Sequence, residues 1–548
     1  MHHTLKYFLP GKHSLWLLIC TASIGLSLFL QWNGQIITIG GDHDSLKYLE
    51  MAEALINDKW FGEYNHMTLI RQPGYSFFLV LNSKMGWPLQ RSQTVLYLIS
   101  ILVLMAALRS VDVARWRIAV ICILCSFHPA AILASMYLAT EATYTVVATI
   151  VLAGCIGVMG SVKKNGVQIY FWLIIFSASL AYFWQLRSES LWILPLGITS
   201  LSYILWEFRY CWRKNWVILS LTMMIPCLCV YLMTGFLQNE NKKHYGIGVT
   251  HELNEPNLVS AFNWLTRMDA GHHHPYVPVT RVALGQAYEV SPHFSLLKPA
   301  LSQQVEGRGW AKFGCEWMGI CDELAGGWIL WAVRDAAASV GVYQSATSAS
   351  RFFAEVAGEI KTACKEGRVR CADNPTGNML APPLMWQDLP RIFESFVKMA
   401  VLSFTFGKLS EVIQDTRQLE PSAELVARYD RITHDQSPSR KNVPNPFIGA
   451  AIRLFQLFQI AGGIWIVITV GKKSWQWMIS AQAASSKSLQ THSWVAGCLI
   501  VFIISRLAVV AYIDAMSFYA QLRYLLVVYP ALITLICLLL PFYRSCQR

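Results

Sequence analysis

Long apolar segments recur along this chain, and they restrict its fold more than any other feature. Runs at roughly 15–37, 93–109, 117–136, 143–160, 168–186, 190–207, 216–237, 446–470, 493–513 and 522–541 approach the ~20 residues a helix needs to cross a bilayer. Lipid offers no water to backbone N–H and C=O groups, so a spanning segment either closes its own hydrogen bonds as a helix or joins a closed barrel. Barrel strands are shorter and alternate in polarity, a pattern absent here. At 54% hydrophobic and only 14% charged, the 548 residues read as an all-α polytopic membrane protein of about ten spans.

The basic residues fall on one side of this arrangement. Arg109, Arg115 and Arg117, then Lys163 and Lys164, then Arg209, Arg213 and Lys214, then Lys472 and Lys473, and finally Arg544 and Arg548 occupy loops that share a face. The positive-inside rule then expects both termini in the cytoplasm. Much of the formal +12 charge is accounted for by topology, and no nucleic-acid partner is needed to explain it. The first apolar run lacks a small-residue cleavage site and is expected to stay in place.

Two regions then face away from the cytoplasm: residues 38–92 and a polar insertion over 238–445. The chain divides into an N-terminal transmembrane module (1–237) with a catalytic first outer loop, the insertion, and C-terminal spans (446–548). The insertion is too long for a linker, and helical periodicity at 326–343 and 348–364 predicts a mainly α extracytoplasmic domain. Residues 391–412 are expected to form an amphipathic or re-entrant helix on the bilayer, because a full span there would move the C-terminus outside. Cys315, Cys321, Cys364 and Cys371 form two close pairs in the insertion. In an oxidising compartment such pairs read as disulfides, each worth roughly 2 kcal/mol. The rival, a four-cysteine zinc site, normally has shorter ligand spacings.

Polar groups cluster at the outer ends of the spans. Asp42, His43 and Asp44 crowd one turn, Tyr48 follows Asp44 by four residues on the same helical face, and Arg71 stands at the end of the same loop. Glu141 occupies the next outer turn, Arg187 and Glu189 the third, and Arg523 the outer end of the last span. Each has a bland explanation. Asp44 can cap a helix, Glu141 can complement a helix dipole, Arg187 and Glu189 can pair at a wet surface, and Arg523 can snorkel to headgroups. Their shared sidedness favours a common site.

The ordered set Asp44-Ser45-x-x-Tyr48-x-x-x-Ala52, Arg71-x-Pro73-Gly74-Tyr75, Thr140-Glu141, Leu186-Arg187-x-Glu189 and Arg523-Tyr524 resembles bacterial members of the GT-C superfamily of membrane glycosyltransferases. That superfamily includes the protein O-mannosyltransferases, the aminoarabinose transferases of lipid A and the oligosaccharyltransferases. The resemblance spans roughly residues 10–200 and returns at 500–541. It implies a GT-C-like core that moves a sugar from a polyprenyl-phosphate carrier to an extracytoplasmic glycan, lipid or protein acceptor. It also implies that Asp44 is the general base and that Glu141 assists it. Arg71, Arg187 and Arg523 would contact the lipid phosphate, with Tyr48, Tyr75 and Asp42 as further substrate contacts. Two positions depart from the pattern: Ser45 stands where many relatives have Glu, and Ser76 where a proline is common. The first speaks against a metal bridging two first-loop carboxylates. No cofactor is called for, and a divalent cation is left open.

The chemistry is plausible on elementary grounds. A carboxylate that takes the acceptor proton contributes typically 10²–10⁴ in rate, and arginines hold a departing phosphate through charge-assisted hydrogen bonds. A single displacement without a nucleophilic carboxylate inverts the anomeric centre. The His272-His273-His274 run reads as a solvated Gly-Pro-bounded turn, and no Walker loop, dinucleotide glycine pattern or HExxH helix is present. The rival function is a flippase or transporter of a polyprenyl-linked or other amphiphile, which would place its essential acids near the bilayer middle instead of at span ends. A structural or assembly role for the insertion is a third alternative.

Overall fold

A computed structural model describes residues 15–32, 36–38, 41–162, 167–210, 212–268, 273–304, 309–372, 379–406, 422–434, 446–479 and 487–540. The side chains at several helix ends, those of Asp42, His43 and Asp44 among them, lie outside that description. The protein is an all-α integral membrane protein. Seven described helices are long and apolar enough to span: Leu89–Ser110, Thr140–Val162, Ser190–Phe208, Asn215–Tyr245, Ile452–Thr469, Thr491–Met516 and Leu522–Leu539.

The other three expected spans are also helical but differ in form. The segment at 117–136 is a pair, Arg115–Ser126 and Pro129–Ser135, bent by 53°. Pro129 causes the break, because a residue before proline is pushed out of the α region, and His128 is extended at φ −66°, ψ 121°. The first and fifth segments are Leu15–Gln31 and Gln168–Trp184, each of 17 residues, at the short limit for a span. The first stops before 37 because Ile37–Thr38 pair in parallel with Tyr137–Leu138, the only two strands among the described residues.

Thr140–Val162 is the central helix, with 94% of its apolar window buried. Three glycines let its neighbours approach closely. A Cβ at Gly154 would stand 2.8 Å from the Cα of Phe176, one at Gly160 would stand 2.7 Å from the carbonyl carbon of Ser110, and the Trp172 ring lies over Gly157. The helices Gln168–Trp184 and Leu89–Ser110 are thereby seated against it, which fixes the position of its N-terminal turn.

The helix expected to end near 237 continues to Tyr245 and carries the chain into the insertion. There a separate core forms around Phe262, Leu284, Phe294, Val333, Phe353 and Ile360. Cys315–Cys321 and Cys364–Cys371 are disulfide-bonded. The insertion is fastened to the loop that carries Tyr64, His66 and Leu69 by a buried ionic network. Glu252 accepts from the Tyr64 hydroxyl at 2.5 Å and from Arg334, which also donates to the His66 carbonyl, and the Glu252 N–H donates to Leu69 O at 2.8 Å. His273 is not solvated as the sequence suggested. It pairs with Asp388 at 2.8 Å, both side chains being buried, and ties the insertion to the helix Leu389–Thr405. That helix packs along Thr491–Met516, where Lys398 and Ser395 both reach Asp514 at 2.9 Å. Its C-terminal continuation toward 412 lies outside the described residues.

Arg334 is fully buried, so truncating it leaves the Glu252 carboxylate without a counter-ion in a dry site. Arg334→Ala is expected to destabilise the insertion by about 3–5 kcal/mol. Hydrogen exchange should then show faster opening across residues 250–365 with the central membrane helix still protected.

Candidate active site

One cavity collects the charged residues from turns at one end of the spans. Its enclosed volume is about 100 Å³, behind an open mouth. Arg71 and Gln72, Glu141, Arg187 to Glu189, His251 and Arg523 supply its polar wall, and Tyr48 and Tyr524 its aromatic one.

Backbone geometry brings these groups together. Gly74 N–H donates to Gln185 O at 2.8 Å and the Tyr182 hydroxyl donates to Gly74 O at 2.7 Å, which docks the Arg71 loop on the turn that carries Arg187. Only glycine fits there, since a Cβ would meet the Gln185 carbonyl carbon at 2.8 Å. Ser45 Oγ donates to Leu138 O at 2.8 Å, three residues before Glu141, so the first turn of the helix Gly41–Ile56 is pinned beside the approach to Glu141. Ser45, one of the two residues that depart from the resembled pattern, thus has a structural job. Asp42 and Asp44 lie on that same first turn, and their side chains fall outside the described residues.

Glu141 is buried between two cations. Its Oε1 lies 3.5 Å from Arg187 Nη1 and 3.4 Å from Arg523 Nη1. Arg187 also donates from Nε to Glu189 Oε1 at 2.6 Å, and Arg506 Nη1 reaches the same carboxylate oxygen at 3.7 Å. Burial pushes the Glu189 carboxyl up, but Arg187 and Arg506 outweigh it and hold the group below the ordinary carboxylate range. Burial pushes the Arg187 guanidinium down, and Glu189 and Glu141 overcome that, so Arg187 stays charged. Tyr524 lies under both Arg187 (5.2 Å from the ring centroid) and Arg523 (5.1 Å). Arg71 stands 5.5 Å over the ring of Trp331, a residue of the insertion.

Arg71, Tyr48, Glu141, Arg187 and Arg523 therefore share one cavity. Tyr75 stands behind it, fully buried, edge-on to Tyr48 with centroids 5.2 Å apart and its hydroxyl donating to Gln93 at 3.1 Å. Among the described residues no cluster of three or more His, Cys, Asp or Glu side chains is placed to hold a metal ion. Sequence reasoning missed Gln72, His251 and Arg506. Arg506 had a signal, as a lone arginine within the apolar run IISRLAVV, and an intramembrane ionisable residue is a functional candidate by default.

No family model and no curated protein sequence matches the chain. Among solved structures it is similar to ArnT from Cupriavidus metallidurans in the apo state, at 11% identity and a TM-score of 0.32 over 96% of this chain and 77% of that one. It is likewise similar to ArnT from Cupriavidus metallidurans bound to undecaprenyl phosphate, at 12% identity and a TM-score of 0.30 over 96% and 78%.

A carboxyl held low in the folded protein stabilises above its unfolded pKa, and that contribution fades as pH falls through the folded value. Glu189→Gln should therefore lower the thermal midpoint at neutral pH. Between about pH 5 and about pH 3 the deficit against the wild type should shrink. A pH-independent deficit would assign the loss to packing.

Proposed function

We propose that the protein is an inverting glycosyltransferase that moves a sugar from a polyprenyl-phosphate carrier to an acceptor on the extracytoplasmic face of the membrane. The observation that carries this is the convergence of guanidinium groups on one cavity: Arg71, Arg187 and Arg523 line it with Glu141 and Glu189, and the fully buried Arg506 stands behind. Three guanidinium groups gathered on one cavity wall suit an anionic ligand. Arginine forks match phosphate geometry.

The placement of the cavity suits a lipid-borne phosphate. Glu141 is the second residue of Thr140–Val162, Arg523 the second of Leu522–Leu539, and Glu189 directly precedes Ser190–Phe208, so three spans begin at its rim. Their positive dipole ends favour an anion there, and the carrier tail can remain in the bilayer. The positive-inside rule, applied to the basic loops of the sequence, supports a cavity outside and both termini in the cytoplasm, as for a bacterial plasma membrane protein. Arg506, behind the cavity, lies well inside a span, but it reaches Glu189 in the same cluster and, among the described residues, outlines no separate path across the bilayer. This favours a transferase over a flippase.

In this mechanism Asp44 takes the proton of the acceptor hydroxyl as that oxygen attacks the anomeric carbon. The bond from that carbon to the phosphate oxygen breaks, and Arg71, Arg187 and Arg523 stabilise the departing phosphate. Glu141 holds Arg187 and Arg523 in place. A glycan, a lipid or a protein would each serve as acceptor.

Asp44→Asn is expected to insert and fold normally while losing 10²–10⁴-fold in transfer, the usual contribution of a general base. Retention of normal turnover would remove Asp44 from the mechanism. Mass spectrometry of surface glycans in cells with and without the gene should reveal one missing sugar residue. An unchanged glycan profile together with altered lipid distribution would favour the flippase.

A further inference from the structure

The cavity has a second kind of wall that phosphate recognition does not use. Glu141 Oε2, Gln72 Oε1 and His251 Nδ1 are buried, and none has a hydrogen-bond partner among the described residues. All three residues line the cavity. A buried polar atom left unmatched costs about 1–3 kcal/mol, and three around one cavity mark where a ligand supplies the partners. Two of them, a carboxylate and an amide oxygen, only accept hydrogen bonds. The third belongs to an imidazole whose pKa burial lowers to about 4, so the neutral ring offers one donor and one acceptor. A phosphate ester at neutral pH brings acceptors, which the guanidinium groups match. The remaining wall calls for several O–H donors on one ligand.

His251 is distinctive because the insertion supplies it. It is 2% exposed, and its neighbour Glu252 is clamped by Arg334, by the Tyr64 hydroxyl and by the backbone of Leu69. The imidazole is thus positioned by the insertion's core and does not hang on an adaptable loop.

We infer that His251 hydrogen-bonds a hydroxyl of the sugar carried on the lipid phosphate, and that the insertion through this residue selects which sugar is transferred. The inference rests on the transferase reading of the same cavity. His251 acts here as a specificity residue, with Gln72 and Glu141 as its companions on the sugar side. Leu253, two residues on, supplies an apolar surface to the same wall.

The test uses the full-length protein in detergent and compares binding of bare undecaprenyl phosphate with a panel of undecaprenyl-phosphate-linked hexoses and pentoses. The wild type should prefer at least one sugar-linked lipid over the bare one by about tenfold or more, a typical size for a hydrogen-bonded contact. His251→Ala should lose most of that preference and keep bare-lipid affinity within about twofold. His251→Asn or His251→Gln, which return a hydrogen-bonding amide near one ring nitrogen, should restore part of it. Preference unchanged in His251→Ala would overturn the inference and leave the transferase reading intact. So would a parallel loss of bare-lipid affinity, which would mark His251 as structural, and so would a wild type that binds bare and sugar-linked lipids equally. A wild type that binds no lipid phosphate at all would instead overturn the transferase reading itself.

Discussion

The burial of Glu141 between Arg187 and Arg523 is the contact on which the site depends. The three residues come from the entry turns of different membrane helices, so their meeting requires those turns to lie at one depth. Removing two or three charges from water costs several kcal/mol for each ion, and only close opposite charges recover that. The fold accepts this cost where the chain could have placed leucines. A core needed only for stability would be cheaper without the charges, and their presence is therefore most simply explained by a ligand.

Small residues make the meeting geometrically feasible. Gly154, Gly157 and Gly160 let the central helix sit against Gln168–Trp184 and Leu89–Ser110 at distances that any side chain would block. Gly74 does the same for the Arg71 loop against Gln185. Each glycine costs helix or loop entropy relative to alanine, ~0.5–1 kcal/mol, and each recovers it through backbone-level contact. The Pro-Gly-Tyr run is thus explained by packing: Gly74 permits the approach, and Tyr75 braces Tyr48 on the cavity wall.

Much of the membrane architecture was legible because hydropathy is a local property. A run such as 143–160 announces a buried helix without reference to any other part of the chain, and the charges at span ends stood out against apolar surroundings. What could not be read depends on pairings across long sequence separations. Arg334 meets Glu252 over 82 residues, His273 meets Asp388 over 115, and Arg71 faces Trp331. Nothing near His251 in the sequence shows that the insertion folds back to put it beside Glu141. The bend at Pro129 was visible in principle, but the prevailing apolarity of 117–136 outweighed the one residue that disfavours a continuous helix. His273 was misjudged for a related reason: its Gly-Pro surroundings suggest a solvated turn, and only the distant Asp388 makes its burial tolerable.

The ionic cluster is wired with redundancy, and this bears on how it can accept a phosphate. Glu141 touches Arg187 and Arg523, and Glu189 touches Arg187 and Arg506. Arg187 is the member common to both carboxylates. If a phosphate drew Arg187 away, Glu141 would keep Arg523 and Glu189 would keep Arg506, so neither buried acid would be left without a cation. A cluster with one guanidinium per carboxylate would have to break a buried pair to bind its ligand, at a penalty of 3–5 kcal/mol. Arg506 keeps Glu189 paired from a position behind the cavity wall. Glu189 therefore has a second cation besides Arg187.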